Sequence, residues 1–157
     1  MRRLLIVTSL VLALTAVPST AAHAGQGTHT HLFAGAGKAK LVVDPDTGTF
    51  TIDGKVLATP IGIASVHSDG QFTDANTFEL SSTFTNAHGT VTTTTTGQTK
   101  DLANGDAKFK NHDQVTGGTG RYAGATGKST TVGISHPKND DGTVSRIVFV
   151  FVGSISY

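Results

Sequence analysis

Histidine, serine and aspartate stand close together at several places in this chain, and each grouping suggests a different chemistry. His29-x-His31 is the pairing most suggestive of a metal, because residues two apart on a strand share a face and two imidazoles there share an ion when a third ligand arrives from a neighbour. Neither His67 nor His136 is tied to that pair by sequence, and a companion glutamate of the cupin kind is missing. No metal site is assigned, and solvated N-terminal histidines are the expectation. His67-Ser68-Asp69 and His112-Asp113 contain the residue types of nucleophilic catalysis, yet sequence neighbours on a strand point to opposite faces and do not cooperate directly. There is no G-x-S-x-G elbow, which argues against a hydrolase. The absence of cysteine excludes thiol catalysis and Cys-based metal sites. Glycoside hydrolysis needs two inward carboxylates, and Asp113 is the sole acid inside a strand-like run whose pattern turns it inward.

The glycines offer the other candidate site. Thr116 to Gly127 (TGGTGRYAGATG) holds five glycines in twelve residues. As a dinucleotide loop it has the wrong spacing between Gly120 and Gly124. As the tail of a Walker A loop, Ala125-Thr126-Gly127-Lys128-Ser129 puts Tyr122 where the first glycine belongs. Both motifs act through a helix N-terminus, whereas Ser129-Thr130-Thr131-Val132 has strand composition. The stretch therefore reads as a forced corner between strands, with Tyr122 as its large side chain.

What must position these residues is an all-β framework. Met1 to Ala24 has the form of a secretory signal peptide: Arg2-Arg3, an apolar run from Leu4 to Val17, and the small-residue box Ala22-His23-Ala24. Residues 1–24 are thus expected to be removed on secretion, extracellular or periplasmic, leaving 25–157 as a single domain without a membrane span. Without Arg2 and Arg3 there are ten basic against eleven acidic side chains, with no run of like charge. That balance argues against a nucleic-acid partner. Lys38 and Lys40, or Lys108 and Lys110, alternate as on a solvated sheet face.

Threonine is abundant, and turn chemistry recurs at Asp44-Pro45-Asp46-Thr47-Gly48, Asp53-Gly54, Asp69-Gly70, Asn86-Ala87-His88-Gly89, Asn104-Gly105 and Asp141-Gly142. Between these lie eight expected strands near 28–43, 48–53, 55–67, 76–86, 89–97, 106–116, 125–136 and 143–157. The expected architecture is an eight-stranded antiparallel up-and-down barrel, wide enough for packed side chains or one small ligand. A sandwich of two sheets is the alternative.

Period-2 alternation turns Phe78, Leu80, Ser82 and Phe84 inward and leaves Glu79 in solvent. In the sixth strand it turns Phe109, Asn111, Asp113 and Val115 inward, placing an amide and a carboxylate on an apolar face. Such groups are costly unless hydrogen-bonded. They either border a wet cavity or are satisfied by local pairing at a corner, and pairing is the commoner case. Arg146 could pair with Asp113 across the barrel or simply flank it. Arg146 to Val152 is otherwise apolar on both faces, so a neighbouring subunit or the N-terminal segment is expected to cover its outside. The Thr92–Thr96 run suits a strand.

With these residues in place, the chain resembles the allene oxide cyclase-like and dirigent-like barrels, particularly small bacterial secreted members. The resemblance is carried by Val115 to Gly127, which looks like that group's GGTG-aromatic-x-G-A-x-G signature, with weaker echoes at Gly35-Ala36-Gly37 and Ala103-Asn104-Gly105-Asp106. It implies a calycin-like barrel, often trimeric, whose lumen takes an apolar or phenolic molecule and works by confining it. The glutamate of allene oxide cyclases is described in the early strands; here the sole glutamate is Glu79, mid-chain and outward, so no catalytic residue is carried over.

Three functions follow as expectations. The first is a secreted small-molecule-binding barrel, without a cofactor, that carries a ligand or guides its conformation in a dirigent-like manner. Its ligand site would be drawn from Phe78, Phe84, Phe109, Asn111, Asp113, Tyr122 and Arg146. The second is an isomerase or cyclase in which Asn111, Asp113 and Tyr122 position the substrate. The third is a structural or interaction protein whose core is filled by Phe78, Phe84, Phe109 and Phe149.

Overall fold

A computed structural model describes residues 28–157, so the expected signal peptide at 1–24 lies outside the described residues. The strands are β1 (Thr30–Val43), β2 (Thr49–Thr59), β3 (Gly62–Asp74), β4 (Thr77–Asn86), β5 (Gly89–Asp101), β6 (Ala107–Gly118), β7 (Thr126–Pro137) and β8 (Val144–Ser156). Each pairs antiparallel with the next, and β8 returns to β1, closing an up-and-down barrel. Closure, rather than a two-sheet sandwich, leaves no free edge.

Two expected turns are not turns. Asp53-Gly54 and Asp69-Gly70 lie within β2 and β3, and the chain instead reverses at Pro60-Ile61, before Gly62 at φ +73°. The interior glycines are there for space. A side chain at Gly54 would strike Ala39 and the carbonyl of Lys38, and one at Gly70 would strike the ring of Phe50.

The same relation recurs around the barrel. Phe33, Phe50, Phe78, Phe109, Phe149 and Phe151 pair across strands with Gly153, Gly70, Gly97, Gly133, Gly37 and Gly35. At Gly37, Gly70, Gly97 and Gly133 the phenyl ring occupies the space a Cβ would take. The rings thus fold sideways over bare backbone and pave the wall instead of crossing the interior. Four of the eight phenylalanines lie over glycine in this way, which keeps their rings against the wall of an apolar interior.

One end is shut. The glycine-rich corner joins β6 to β7 through a single 3-10 turn at Gly120–Tyr122, with no helix following. Thr119 and Arg121 donate backbone bonds to the carbonyls of Thr90 and His88 (3.0 and 2.8 Å), which draws the corner against the β4–β5 turn. The approach is close enough that a Cβ at Gly120, φ +59°, would meet the His88 carbonyl. Tyr122 is 1% exposed and packs with Ile61, Val91, Val115, Ala125 and Ile155. Its hydroxyl accepts from Asn86 Nδ2 at 3.0 Å, and the same amide donates to the Ile61 carbonyl at 2.5 Å. The buried phenol is thereby satisfied.

Outside, Val148, Val150 and Val152 are exposed in the single chain. Val150 belongs to a wider apolar row, Val132, Val150, Ala36, Leu57 and Ile63, directly opposed across five strands.

Candidate functional site: the barrel lumen

Above the Tyr122 base lies a cavity of about 340 Å³ that reaches the loops at the other end, where Ala75, Gly105 and Gly142 line it. Its floor is an aromatic trio, Phe33, Phe84 and Phe151, with ring centroids 4.9–6.2 Å apart. A second trio, Phe50, Phe72 and Phe78, lines the mouth on β2, β3 and β4 at 5.1–6.3 Å. Leu41, Ile52, Val66, Leu80, Phe109 and Phe149 complete an apolar wall.

The polar side of the lumen is built by β5, β6 and β7. Asp113 accepts three hydroxyl hydrogen bonds: Thr95 Oγ1 to Oδ1 at 2.8 Å, and Ser129 Oγ and Thr131 Oγ1 to Oδ2 at 2.9 and 2.6 Å. Antiparallel register produces this arrangement, since Thr95 and Ser129 are the direct cross-strand partners of Asp113. Asn111, one inward position nearer the mouth, is 93% buried by its 7% exposure, and its Oδ1 has no hydrogen-bond partner. The two inward polar groups therefore differ. The carboxylate is paired and the amide acceptor is not, although both line the cavity. Neither serves a backbone corner. On the facing wall Ser68 and Ser82 share a buried bond of 2.8 Å.

The expected site residues are only partly brought together. Phe78, Phe84, Phe109, Asn111 and Asp113 line one lumen, and Phe149 joins them; the phenylalanines border the space without filling it. Arg146 does not reach it. It is exposed on the outer face of β8, opposite Lys40 and His136, because alternation places Ser145 and Ile147 inside; it cannot pair with Asp113. Tyr122 lies beneath the cavity, turned into the closed base by its bond with Asn86, and does not line it. Glu79 is exposed on the outside of β4. Lining residues that the sequence reading missed include Thr95, Ser129 and Thr131, which only cross-strand register could join to Asp113.

A separate cluster lies on the outer surface. His67 Nδ1 donates to Asp53 Oδ1 at 2.7 Å, and its Nε2 is 3.3 Å from Asp69 Oδ2. Ser68, between them in sequence, faces inward, so these groups form no catalytic triad. The hydrogen bond to Asp53 raises the His67 pKa above its ordinary 6.5, with the two aspartate charges adding to it. The folded state then holds the proton more tightly than the unfolded chain. The resulting stabilisation is fully present below pH 6.5 and is lost as pH rises through the raised value. Histidine resonances followed by NMR should give His67 a midpoint above 6.5, moved downward by Asp53→Asn; a midpoint at or below 6.5 would contradict the pairing. His29 and His31 sit beside the chain end, where His31 stacks on Tyr157 at 5.1 Å. Among the described residues no group of three or more His, Asp or Glu side chains is placed to hold a metal ion.

Comparison with known protein families, curated proteins and solved structures gives no match to this chain.

Proposed function

We propose that the chain is a secreted small-molecule-binding barrel that takes an apolar or phenolic ligand into its lumen and holds it in a restricted set of conformations. The observation carrying this reading is the hollow interior. A space of about 340 Å³ falls within the usual range for ligand sites, and here it is walled by phenylalanine with a few convergent polar groups. A protein whose sole requirement was a stable core would fill that space, because empty apolar volume costs stability. The dirigent-like resemblance supports confinement as the mode of action, in which shape restricts a reactive ligand and no nucleophile is needed. An isomerase would have to use Asp113 in place of the outward Glu79, which makes it the weaker reading.

The outer apolar row through Val150 and Leu57 is assigned, on the same reading, to contact with further copies of the chain. Native mass spectrometry of protein recovered from the culture medium tests both parts. The expected spectrum shows an oligomer, with a mass excess of one small molecule per chain that disappears on denaturation. A bare monomer that takes up no apolar compound on incubation would overturn the proposal.

A further inference from the structure

The mouth of the lumen carries a large excess of acidic side chains, one of which, Asp106, is bonded to His136 at 2.9 Å. Seven of the chain's eleven acidic side chains, Asp44, Asp46, Asp74, Asp101, Asp106, Asp140 and Asp141, lie in or flank the four loops at the open end. Lys138 is the basic residue within those loops, and Lys100 and Lys108 sit on outward positions of β5 and β6. The loops at the closed end, 60–61, 87–88 and 119–125, hold no acid and contain Arg121. Asp44 and Asp141 each accept a backbone N–H within their own turns, from Asp46 and Thr143, which favours the ionised form and lowers both pKa values. Turn formation thus keeps negative charge at the rim.

Inside, among the described residues, the cavity is lined by Asp101 and Asp113 but by no lysine, arginine or histidine. Three neutral hydroxyls solvate the half-buried Asp113 without neutralising it, and no basic side chain among the described residues lines the cavity to do so. Two oxygens offer about four lone-pair directions, so one on Oδ1 is still open to a donor. Asn111 Oδ1, the next inward group on β6, is a second acceptor, buried and unpartnered. The surrounding phenylalanine faces tolerate a cation better than an aliphatic wall would.

We infer that the ligand of this lumen is a cationic amphiphile: an apolar body lodged among the phenylalanines, with a protonated amine that donates to Asp113 and Asn111. The inference rests on the small-molecule reading above and narrows its ligand class. An ammonium supplies up to three donors and one positive charge, which answers both the open acceptor and the uncompensated carboxylate. The acidic mouth would concentrate such a ligand and repel a carboxylate of the same shape.

Octylammonium, 1-octanol and octanoate share one apolar chain and differ at the head, so calorimetric titration of the unaltered protein with all three separates the claims. Octylammonium is expected to bind about tenfold or more tightly than 1-octanol, with octanoate weakest. In Asp113→Asn the octylammonium affinity should fall to near that of 1-octanol, while 1-octanol itself changes little. Equal binding of octylammonium and 1-octanol, or tighter binding of octanoate, would overturn the cationic inference yet leave the small-molecule reading standing. If none of the three binds, the small-molecule reading itself falls. The ligand series needs no variant, so a misfolded Asp113→Asn would not rescue the inference from an adverse result.

Discussion

Tyr122→Ala is expected to destabilise the protein by about 3–5 kcal/mol, the range for deleting a buried aromatic ring. The ring is 1% exposed and closes the base of the barrel against Ile61, Val91 and Ala125, all at 4% exposure or less, so little can collapse into its place. For a domain of this size the loss would appear as a fall in melting temperature on the order of 10–20 °C. Tyr122→Phe keeps the ring and removes only the acceptor for Asn86. It should cost about 1 kcal/mol, because that amide retains the Ile61 carbonyl. Thermal unfolding of the two variants side by side checks the ordering. An alanine variant no less stable than the phenylalanine variant would mean that the glycine-rich corner does not seal the barrel.

Ser68→Ala/Ser82→Phe should have the opposite profile, with ligand binding lost and stability kept. Both serines line the cavity and bond only to each other, at 2.8 Å. Removing both hydroxyls leaves no orphaned partner, which makes that part of the change nearly neutral. The added phenyl ring then occupies the cavity that the sideways phenylalanines keep clear. Filling apolar volume commonly raises stability by about 0.5–2 kcal/mol, and loss of function is the recurrent cost. The melting temperature should hold or rise while the affinity for an apolar ligand drops about tenfold or more.

Much of this was legible in the sequence. Eight strands, the inward faces of β4 and β6, and the corner before β7 all follow from period-2 alternation and turn chemistry. Asp53-Gly54 and Asp69-Gly70 misled because the same dipeptides make hairpin turns, whereas here the glycines accommodate Ala39 and Phe50 on neighbouring strands. The signal for the true reversal, Pro60 followed by Gly62, was present but weaker than the Asp-Gly pairs around it.

The hollow interior could not be read from one strand at a time. It depends on which glycine faces which phenylalanine, and so on register. The same is true of the hydroxyls around Asp113, drawn from β5 and β7. Arg146 shows the converse limit. A basic residue near an apolar run invites pairing with a buried acid, but one step of alternation puts it on the outside.

The central claim is that the lumen accepts a ligand, and a fluorescence titration with N-phenyl-1-naphthylamine, a neutral apolar probe, tests it most directly. The unaltered protein should give saturable enhancement at one probe per barrel, and Ser68→Ala/Ser82→Phe, folded to the same melting temperature or above, should bind about tenfold or more weakly. Equal affinity in the two proteins, or no saturable binding in the unaltered one, would contradict it.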